Sequence, residues 1–276
     1  MTRLIDGCLE IDRLASPRAR KYSICTLVND HDEYESFLAS FQSGGFSTDV
    51  CEYIYADNSA GNKYDAYAAY NAFLLAATGE YVVLCHQDVL LIKDGRAELD
   101  RVIEEMNAFD PDWAVLGNAG GTEEGELAIR ISDPHGEDTR RGALPARVQT
   151  LDENFMVVRR SANLALSHDL SGFHFYGTDI CMIAAILGYR AYVVDFHLRH
   201  KSGGAFNDTF FEGRRAVYKK YEATLRPRWV RTTVTDFFIS KSEKFNALVN
   251  GPLAQRFVGG DHKKSRSLVR WLRFLY

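Results

Sequence analysis

The stretch that decides the fold is AATGEYVVLCHQDVL, residues 76–90. A short apolar run, residues 81–85, is followed directly by His86, Gln87 and Asp88. A run this apolar predicts a strand that is buried on both faces. Because ligands of open α/β sheets bind at the carboxyl ends of strands, we expect Asp88 to lie where a metal ion or a phosphate is met. A solvated aspartate that starts a loop is the alternative.

The chain before this stretch alternates between strand and helix patterns. Strands are predicted over residues 22–28 and 51–56, and helices over residues 33–43 and 64–77. This β-α-β-α-β order predicts a parallel sheet with right-handed crossovers. The turn after the first strand, Asn-Asp-His-Asp at residues 29–32, lacks the glycines of a dinucleotide-binding GxGxxG turn. Nicotinamide chemistry is therefore not expected.

Residues 122–145 differ in composition from the segments around them. They are rich in Gly, Glu, Asp and Arg, and they predict a long mobile loop with a hairpin around residues 127–131. Long loops in compact domains are often lids over functional sites, and a plain solvated loop is an equal alternative.

Regular patterns return in the second half of the chain. A helix is predicted over residues 180–187, with Thr178 or Asp179 as its N-cap. Residues 1–225 are predicted to form one α/β domain, and residues 226–276 a helical C-terminal appendage.

The composition is that of a soluble globular protein, with 46% hydrophobic and 25% charged residues among 276. The net charge of −4 gives no general signal for nucleic acid. The five cysteines form no CxxC pair, and four lie in apolar runs, which is typical of buried thiols in a reducing compartment. The N-terminus lacks a signal-peptide core, and no apolar run reaches the length of a membrane span. We therefore expect a cytoplasmic protein.

The C-terminal residues 263–276 are basic, with interleaved aromatic side chains. On a helix, Leu268, Trp271, Leu272 and Leu275 would share one face. This pattern predicts contact with the inner face of a membrane, which would suit a lipid-linked acceptor. A terminal helix that packs on its own domain, or on a second subunit of a homodimer, explains the pattern equally well.

Motifs spread over residues 22–204 carry a resemblance to a known family. They are the strand 23–29, Asp57-Asn58-Ser59, Tyr70-Asn71, His86-Gln87-Asp88-Val89, Leu151-Asp152-Glu153, Gly177-Thr178-Asp179-Ile180, and His200 with Ser202-Gly203-Gly204. Their order and spacing resemble a GT-A glycosyltransferase of the large inverting family 2, in a branch where His-Gln-Asp replaces the usual Asp-x-Asp. The resemblance implies a Rossmann-like α/β fold with a central mixed, mostly parallel sheet. It also implies transfer of a sugar from a UDP- or dTDP-linked donor to a glycan or lipid-linked acceptor, such as a growing bacterial polysaccharide.

The resemblance also implies roles for individual residues. Binding of the nucleotide sugar falls to Val28, Asn29, Asp57, Asn58, Asn71, Gln87 and Asp88. Asp88 and His200 would hold Mn²⁺ or Mg²⁺ on the diphosphate, since a divalent cation neutralises the leaving group. The imidazole of His200 would favour Mn²⁺. Asp179 would be the base that takes the acceptor's proton, which implies inversion, and Asp152 and Glu153 would lie on the acceptor side.

Each of these roles has a structural alternative. Asp179 can cap a helix, His200 can be a loop imidazole, Asp57 and the Asp152-Glu153 pair can stabilise turns, and Asn71 can bond a neighbour. If Asp179 is not the base, Asp152 or Glu153 is the next candidate. A non-catalytic nucleotide- or glycan-binding homologue stays open, because His86 replaces an aspartate. A sugar-nucleotide nucleotidyltransferase is the other rival, although its Gly-rich basic loop is missing after the first strand.

Overall fold

The computed structural model of the chain describes residues 20–204, 207–224, 227–231, 236–240 and 242–251. The chain divides into two compact units, Met1–Arg214 and Arg215–Tyr276. Residues 263–276 and Cys8 lie outside the described residues, so the membrane contact stays a prediction, as does the domain boundary after residue 225. Among the described residues, no helix is both long enough and apolar enough to cross a membrane.

Strands and helices alternate through most of the first unit. In chain order the strands are β1 (Tyr22–Val28), β2 (Cys51–Asp57), β3 (Tyr81–Cys85), β4 (Val89–Leu90), β5 (Trp113–Gly117), β6 (Ala119–Gly121), β7 (Leu127–Asp133), β8 (Gly136–Arg141), β9 (Ala146–Val148), β10 (Thr150–Leu151), β11 (Phe155–Arg159), β12 (Arg190–Val193), β13 (Leu198–His200), β14 (Arg228–Arg231) and β15 (Asp236–Ile239). The helices are α1 (His31–Ser43), α2 (Ala66–Ala76), α3 (Arg96–Phe109), α4 (Tyr176–Ile186), α5 (Asp208–Thr224) and α6 (Glu243–Asn250).

A seven-stranded sheet forms the centre of the first unit, in the order β2-β1-β3-β11-β5-β12-β9. Strands β2, β1, β3, β5 and β12 point in one direction, and β11 and β9 run against them. The predicted α/β class with a central mixed, mostly parallel sheet is therefore confirmed. All five residues of β3 are buried, as the apolar run predicted.

The two faces of this sheet are covered by different helices. On one face, buried side chains of the sheet pack with those of α1 and α3 in one hydrophobic core cluster. Helices α2 and α4 contact the other face. The side chains that α1 and α3 bury are Tyr34, Phe37, Phe41, Leu99, Val102, Ile103 and Met106. Four cysteines, Cys25, Cys51, Cys85 and Cys181, are buried free thiols, as predicted.

A second sheet contradicts the prediction of a long loop over residues 122–145. This six-stranded sheet has the order β10-β6-β7-β13-β4, with β8 paired to β7. The predicted hairpin is present, as β7 and β8, but the rest of the segment is ordered by the same sheet. Ala128 and Ile131 are buried and anchor β7, whereas four of the charged residues that suggested a loop belong to strand β8, which is mostly exposed.

Helix α4 also begins earlier than predicted. Its N-cap is Phe175, in the left-handed region with φ of 68°, and neither Thr178 nor Asp179 caps it. Asp179 lies in the first turn, where its N–H donates to the carbonyl of Phe175. The helix can start here because Gly177 lets the first turn approach β10, where a Cβ atom would lie 2.3 Å from the Leu151 carbonyl oxygen.

The second unit contains part of α5, the antiparallel pair β14–β15, and α6. Ser242 caps α6 by accepting a hydrogen bond from the N–H of Phe245. Asn250 ties the end of α6 to β15, since its side chain bonds both the N–H and the carbonyl of Phe238.

Candidate active site

The carboxyl ends of β1, β2 and β3 open into a cavity of about 390 Å³. Its lining includes four residues predicted to bind a nucleotide sugar, namely Asn29, Asn58, Gln87 and Asp88. The other lining residues are Leu27, Glu33, Asn62, Ala66, Tyr70, His86, Phe173, Tyr176 and Ser202. The cavity therefore lies at the sheet edge where the sequence predicted a ligand site.

Strand pairing in the second sheet brings His200 to Asp88. Strand β13 runs antiparallel to β4, with His200 opposite Val89. The N–H of Lys201 donates to the Asp88 carbonyl, at 3.1 Å. The predicted metal pair, Asp88 and His200, is thus close in space.

His86 completes a group of three potential metal ligands with Asp88 and His200. The Nε2 atom of His200 lies 3.3 Å from Asp88 Oδ1 and 3.4 Å from His86 Nδ1, and His86 Nδ1 lies 4.0 Å from Asp88 Oδ1. An ion with bonds of about 2.1 Å separates adjacent ligand atoms by roughly 3 to 3.4 Å, so the group needs little movement to hold one ion. Two imidazoles and one carboxylate suit a transition-metal ion better than Mg²⁺.

The ring of His86 is oriented by Tyr176. The Nε2 atom of His86 lies 2.7 Å from the Tyr176 hydroxyl, which is also 3.5 Å from the Tyr70 hydroxyl. The remaining ring nitrogen, Nδ1, faces Asp88 and His200. Contacts of this kind, from the second nitrogen of a ligating histidine to a neighbouring side chain, fix ring orientation at metal sites.

The charge states of Asp88 and His86 suit cation binding, whereas Asp88 favours the protonated form of His200, whose proton a bound metal ion would displace. Burial raises the pKa of Asp88, but the hydrogen bond and charge of His200, with the charge of His86, lower it overall to well below its usual range. Burial and the nearby His200 lower the pKa of His86, which keeps the imidazole neutral. Burial lowers the pKa of His200, yet the hydrogen bond and charge of Asp88 outweigh this and raise it. An ionised carboxylate and a neutral imidazole are the forms that bind metal ions.

Gln87 links the end of β3 to the end of β1. Its Oε1 atom accepts hydrogen bonds from the N–H groups of Asn29, at 2.9 Å, and Asp30, at 3.2 Å. Its amide donates to the side chain of Asn29. Gln87 therefore braces the turn that begins α1, while Asp30 caps this helix through the N–H of Glu33.

The residues predicted at the ends of β1 and β2 have mainly structural contacts. Val28 is fully buried in the core. The Asn58 side chain bonds both the carbonyl and the N–H of Tyr64. Asp57 is exposed and accepts from the N–H of Ser59, at 2.8 Å. Hydrogen bonds from Ser59 lower the pKa of Asp57.

Asn71 and Asp179 do not line the cavity, and both hold the segment 163–170. The Asn71 side chain bonds the N–H and the carbonyl of Leu166. Asp179 is fully buried, and its carboxylate accepts from the N–H and the hydroxyl of Ser167, each at 2.7 Å. The structure gives both residues a positioning role and does not bring the Asp179 carboxylate to the cavity.

The predicted acceptor-side acids, Asp152 and Glu153, lie near the start of α4 and do not line the cavity. Asp152 is exposed and accepts from the N–H of Asn154, at 3.0 Å. Glu153 is half-buried, and its Oε1 atom accepts from the N–H of Gly177, at 3.3 Å. Burial and the charge of Asp152 raise the pKa of Glu153 to about 8.

His86 is the functional residue whose role the sequence prediction missed. It was counted as a departure from the family motif, although its spacing carried a signal. His86 and Asp88 lie in the tight turn between β3 and β4, where the N–H of Val89 donates to the His86 carbonyl, so two potential ligand residues this close in sequence are held on one short turn. Glu33 and Tyr176 are further cavity residues without a role predicted from sequence.

Three solved structures show a limited likeness to this chain. A197 from STIV aligns with a TM-score of 0.40 at 11% identity, over 68% of this chain and 86% of that one. S. aureus TarS 1-349 aligns with a TM-score of 0.45 at 13% identity, over 66% of this chain and 60% of that one. GalNAc-T7, solved with UDP, GalNAc and Mn²⁺, aligns with a TM-score of 0.48 at 9% identity, over 74% and 48%. This chain thus spans 60% or less of the last two, and these scores are too low to support a function.

Sequence comparison is more decisive. No family model matches the chain. A protein of Fuscovulum blasticum described as "ATP synthase subunits region ORF 6" is 39% identical over 206 residues, which make up 72% of this chain and 83% of that protein. That description states no activity. The extent and identity of the match place this chain in the same family as the Fuscovulum blasticum ATP synthase subunits region ORF 6 protein.

Proposed function

We propose that this protein is a metal-dependent glycosyltransferase of GT-A type that uses a nucleotide-sugar donor. The observation that carries the proposal is the group His86, Asp88 and His200 in and beside a cavity at the carboxyl ends of β1 to β3. A nucleoside diphosphate needs both a pocket at this edge of the sheet and a cation for its phosphates.

The metal ion would be held by His86 Nδ1, Asp88 and His200 Nε2. When bound, it would supply positive charge to the diphosphate leaving group. The two imidazoles make Mn²⁺ the better candidate than Mg²⁺. The chain itself sets the ionisation of Asp88 and the ring orientation of His86, through His200 and Tyr176 respectively.

The nucleoside would lie against the ends of β1 and β2, where Asn29 and Asn58 line the cavity. The bonds of Asn58 to Tyr64 and of Gln87 to Asn29 keep this wall rigid. A UDP- or dTDP-linked sugar is the proposed donor, and a glycan or a lipid-linked glycan the proposed acceptor. Asp57 lies at the rim, and Val28 would contribute through its backbone alone.

Inverting transfer needs a base for the acceptor hydroxyl, and we assign that role to Glu153 in preference to Asp179. Both oxygens of the buried Asp179 carboxylate already accept hydrogen bonds from Ser167. Glu153 is half-buried beside the exposed Asp152, and its pKa of about 8 suits proton exchange near neutral pH. Glu153 does not line the cavity, so the turn between β10 and β11 that carries it would have to move for its carboxylate to reach a bound sugar.

A second candidate function is nucleotide or glycan binding without turnover. One observation favours it. Among the described residues that line the cavity, the acids are Glu33 and Asp88, and each already has a partner, Lys201 for Glu33 and His200 for Asp88. No lining carboxylate is therefore free to act as a base in the arrangement observed.

Turnover separates the two functions. The purified protein is incubated with Mn²⁺ and a panel of UDP- and dTDP-sugars, and release of nucleoside diphosphate is measured with water or added glycans as acceptor. The glycosyltransferase proposal predicts release from at least one donor, slowed about 100-fold or more in His200→Ala. Tight nucleotide binding with no release from any donor would instead support the binding function.

A further inference from the structure

The cavity has no built-in cation to match a diphosphate. None of the described residues that line it is Lys or Arg, and two of them, Glu33 and Asp88, are acids. A nucleoside diphosphate carries roughly three negative charges near neutral pH. One divalent ion, which must also balance Asp88, leaves part of this charge unmatched.

The turn between β1 and α1 is not available as a phosphate cradle. The N–H groups of Asn29 and Asp30 already donate to Gln87, and the N–H of Glu33 donates to the Asp30 side chain. The first turn of α1 also carries the acids Asp32 and Glu33, which would repel a phosphate. The missing positive charge must come from another element.

Lys201 lies beside the cavity, directly after the metal-site residue His200. Its N–H donates to the Asp88 carbonyl, and the next residue, Ser202, lines the cavity and donates its N–H to the Asp88 carboxylate, at 3.2 Å. The Lys201 ammonium group forms an ion pair with Glu33, a lining residue on α1. The ammonium group is therefore paired with a residue of the cavity wall, and the backbone of Lys201 is bonded to Asp88 of the predicted metal site.

We infer that Lys201 binds the diphosphate of the nucleotide, and that Glu33 competes with the phosphate for the same ammonium group. The inference rests on the proposed function, which places a diphosphate in this cavity. Phosphate is the better partner, because it carries more charge and several strong acceptor oxygens. Glu33 can give up the ion pair at small cost, since an ion pair with side chains 43% and 24% exposed contributes little stability.

The two partners are therefore predicted to have opposite effects on affinity. Calorimetric titration with UDP in the presence of Mn²⁺ should show binding weakened roughly tenfold in Lys201→Ala. Binding in Glu33→Gln should be a few-fold tighter, because the competing carboxylate is gone. The double variant should match Lys201→Ala, since Glu33 acts only through the lysine. Lys201→Met, which keeps the aliphatic stem, should behave as Lys201→Ala does.

Lys93→Ala is the matched control. Lys93 is an exposed lysine in an ion pair with Asp138, at 2.8 Å, and does not line the cavity. Its removal should leave UDP affinity unchanged. Equal losses of affinity in Glu33→Gln and Lys201→Ala would overturn the inference, because they would show that the ion pair itself supports the site.

Inorganic pyrophosphate distinguishes this inference from the proposed function. Lys201-dependent binding of pyrophosphate with Mn²⁺, but no binding of UDP, would reject the nucleotide-sugar proposal and keep the diphosphate site. A UDP affinity that is unchanged in Lys201→Ala would keep the proposed function and reject the inference. Failure of the unaltered protein to bind either probe would overturn both.

Discussion

At the scale of single residues, burial sets the charges of the candidate site. Asp88 is held ionised by His200, and His86 is kept neutral by burial. Glu153 behaves in the opposite way to Asp88, because burial and Asp152 raise its pKa and no cation compensates. The different surroundings of these two acids thus drive their pKa values apart.

The raised pKa of Glu153 predicts a pH-dependent stability. In the unfolded chain a glutamate loses its proton near pH 4.3, whereas folded Glu153 keeps it up to about pH 8. The folded protein therefore binds an extra proton between these values. The stability that this contributes is full below about pH 4.3 and is lost as the pH rises through about 8.

Glu153→Gln should remove this dependence. Glutamine is nearly isosteric and does not titrate, so thermal melts from pH 5 to pH 8.5 should show the parent losing stability relative to the variant. Glu104→Gln, an exposed acid on α3, serves as the control and should follow the parent. Curves for Glu153→Gln that run parallel to the parent would show that Glu153 titrates normally.

The sequence could predict Asp88 because it follows a strongly apolar strand, whereas His200, the last residue of β13, was predicted through the family resemblance. It missed His86 because the family motif has an aspartate there, although residues 86 and 88 lie in the same short turn between β3 and β4. The competing interpretations of Asn71 and Asp179 could not be separated in advance. Their partners, Leu166 and Ser167, lie in a segment without periodicity, and only tertiary structure brings the two together.

At the scale of elements, the segment 163–170 is held between two helices. Asn71 on α2 bonds Leu166, and Asp179 on α4 bonds the adjacent Ser167. The same region leads to Phe173 and Tyr176, which line the cavity. We therefore expect the two polar side chains to shape the cavity wall without touching the substrate.

Removing either side chain should destabilise the fold. Asp179→Ala and Asn71→Ala each leave buried groups of the segment without partners, which costs about 1–3 kcal/mol. Urea denaturation of the single and double variants measures this, and the double variant should deviate from additivity because the two residues hold one segment. Asp49→Ala, at an exposed turn, should have little effect.

The alternative role of Asp179 gives a different result. If Asp179 is the base, Asp179→Asn removes transfer while stability and donor affinity stay at the parent values. That outcome would return the catalytic role to Asp179 and contradict the assignment to Glu153.

Local patterns predicted some elements better than others. Strands β1 and β3 lie where apolar runs predicted them, because most of their side chains are apolar and buried. The second sheet was not predicted, since its strands β4, β6, β10 and β13 have two or three residues each. Strands this short have no readable period, and their pairing partners are distant in sequence.

At the scale of the whole molecule, the second sheet has a specific consequence for the site. It pairs β13 with β4 and so brings together His86 and His200, which are 114 residues apart in sequence. The first sheet supplies the cavity and two of the three ligand residues, and the second supplies the third. The group of potential metal ligands therefore forms only when both sheets are assembled.

The central claim is that His86, Asp88 and His200 bind one metal ion that nucleotide binding requires. Calorimetric titration of UDP with and without Mn²⁺, in the parent and in Asp88→Asn, tests it most directly. Asp49→Asn, at an exposed turn away from the cavity lining, controls for the loss of a carboxylate, and melting temperatures confirm folding. We predict that UDP binds the parent only with Mn²⁺, and that Asp88→Asn abolishes this binding without changing the melting temperature. UDP affinity that is the same with and without Mn²⁺, or unchanged in Asp88→Asn, would contradict the claim.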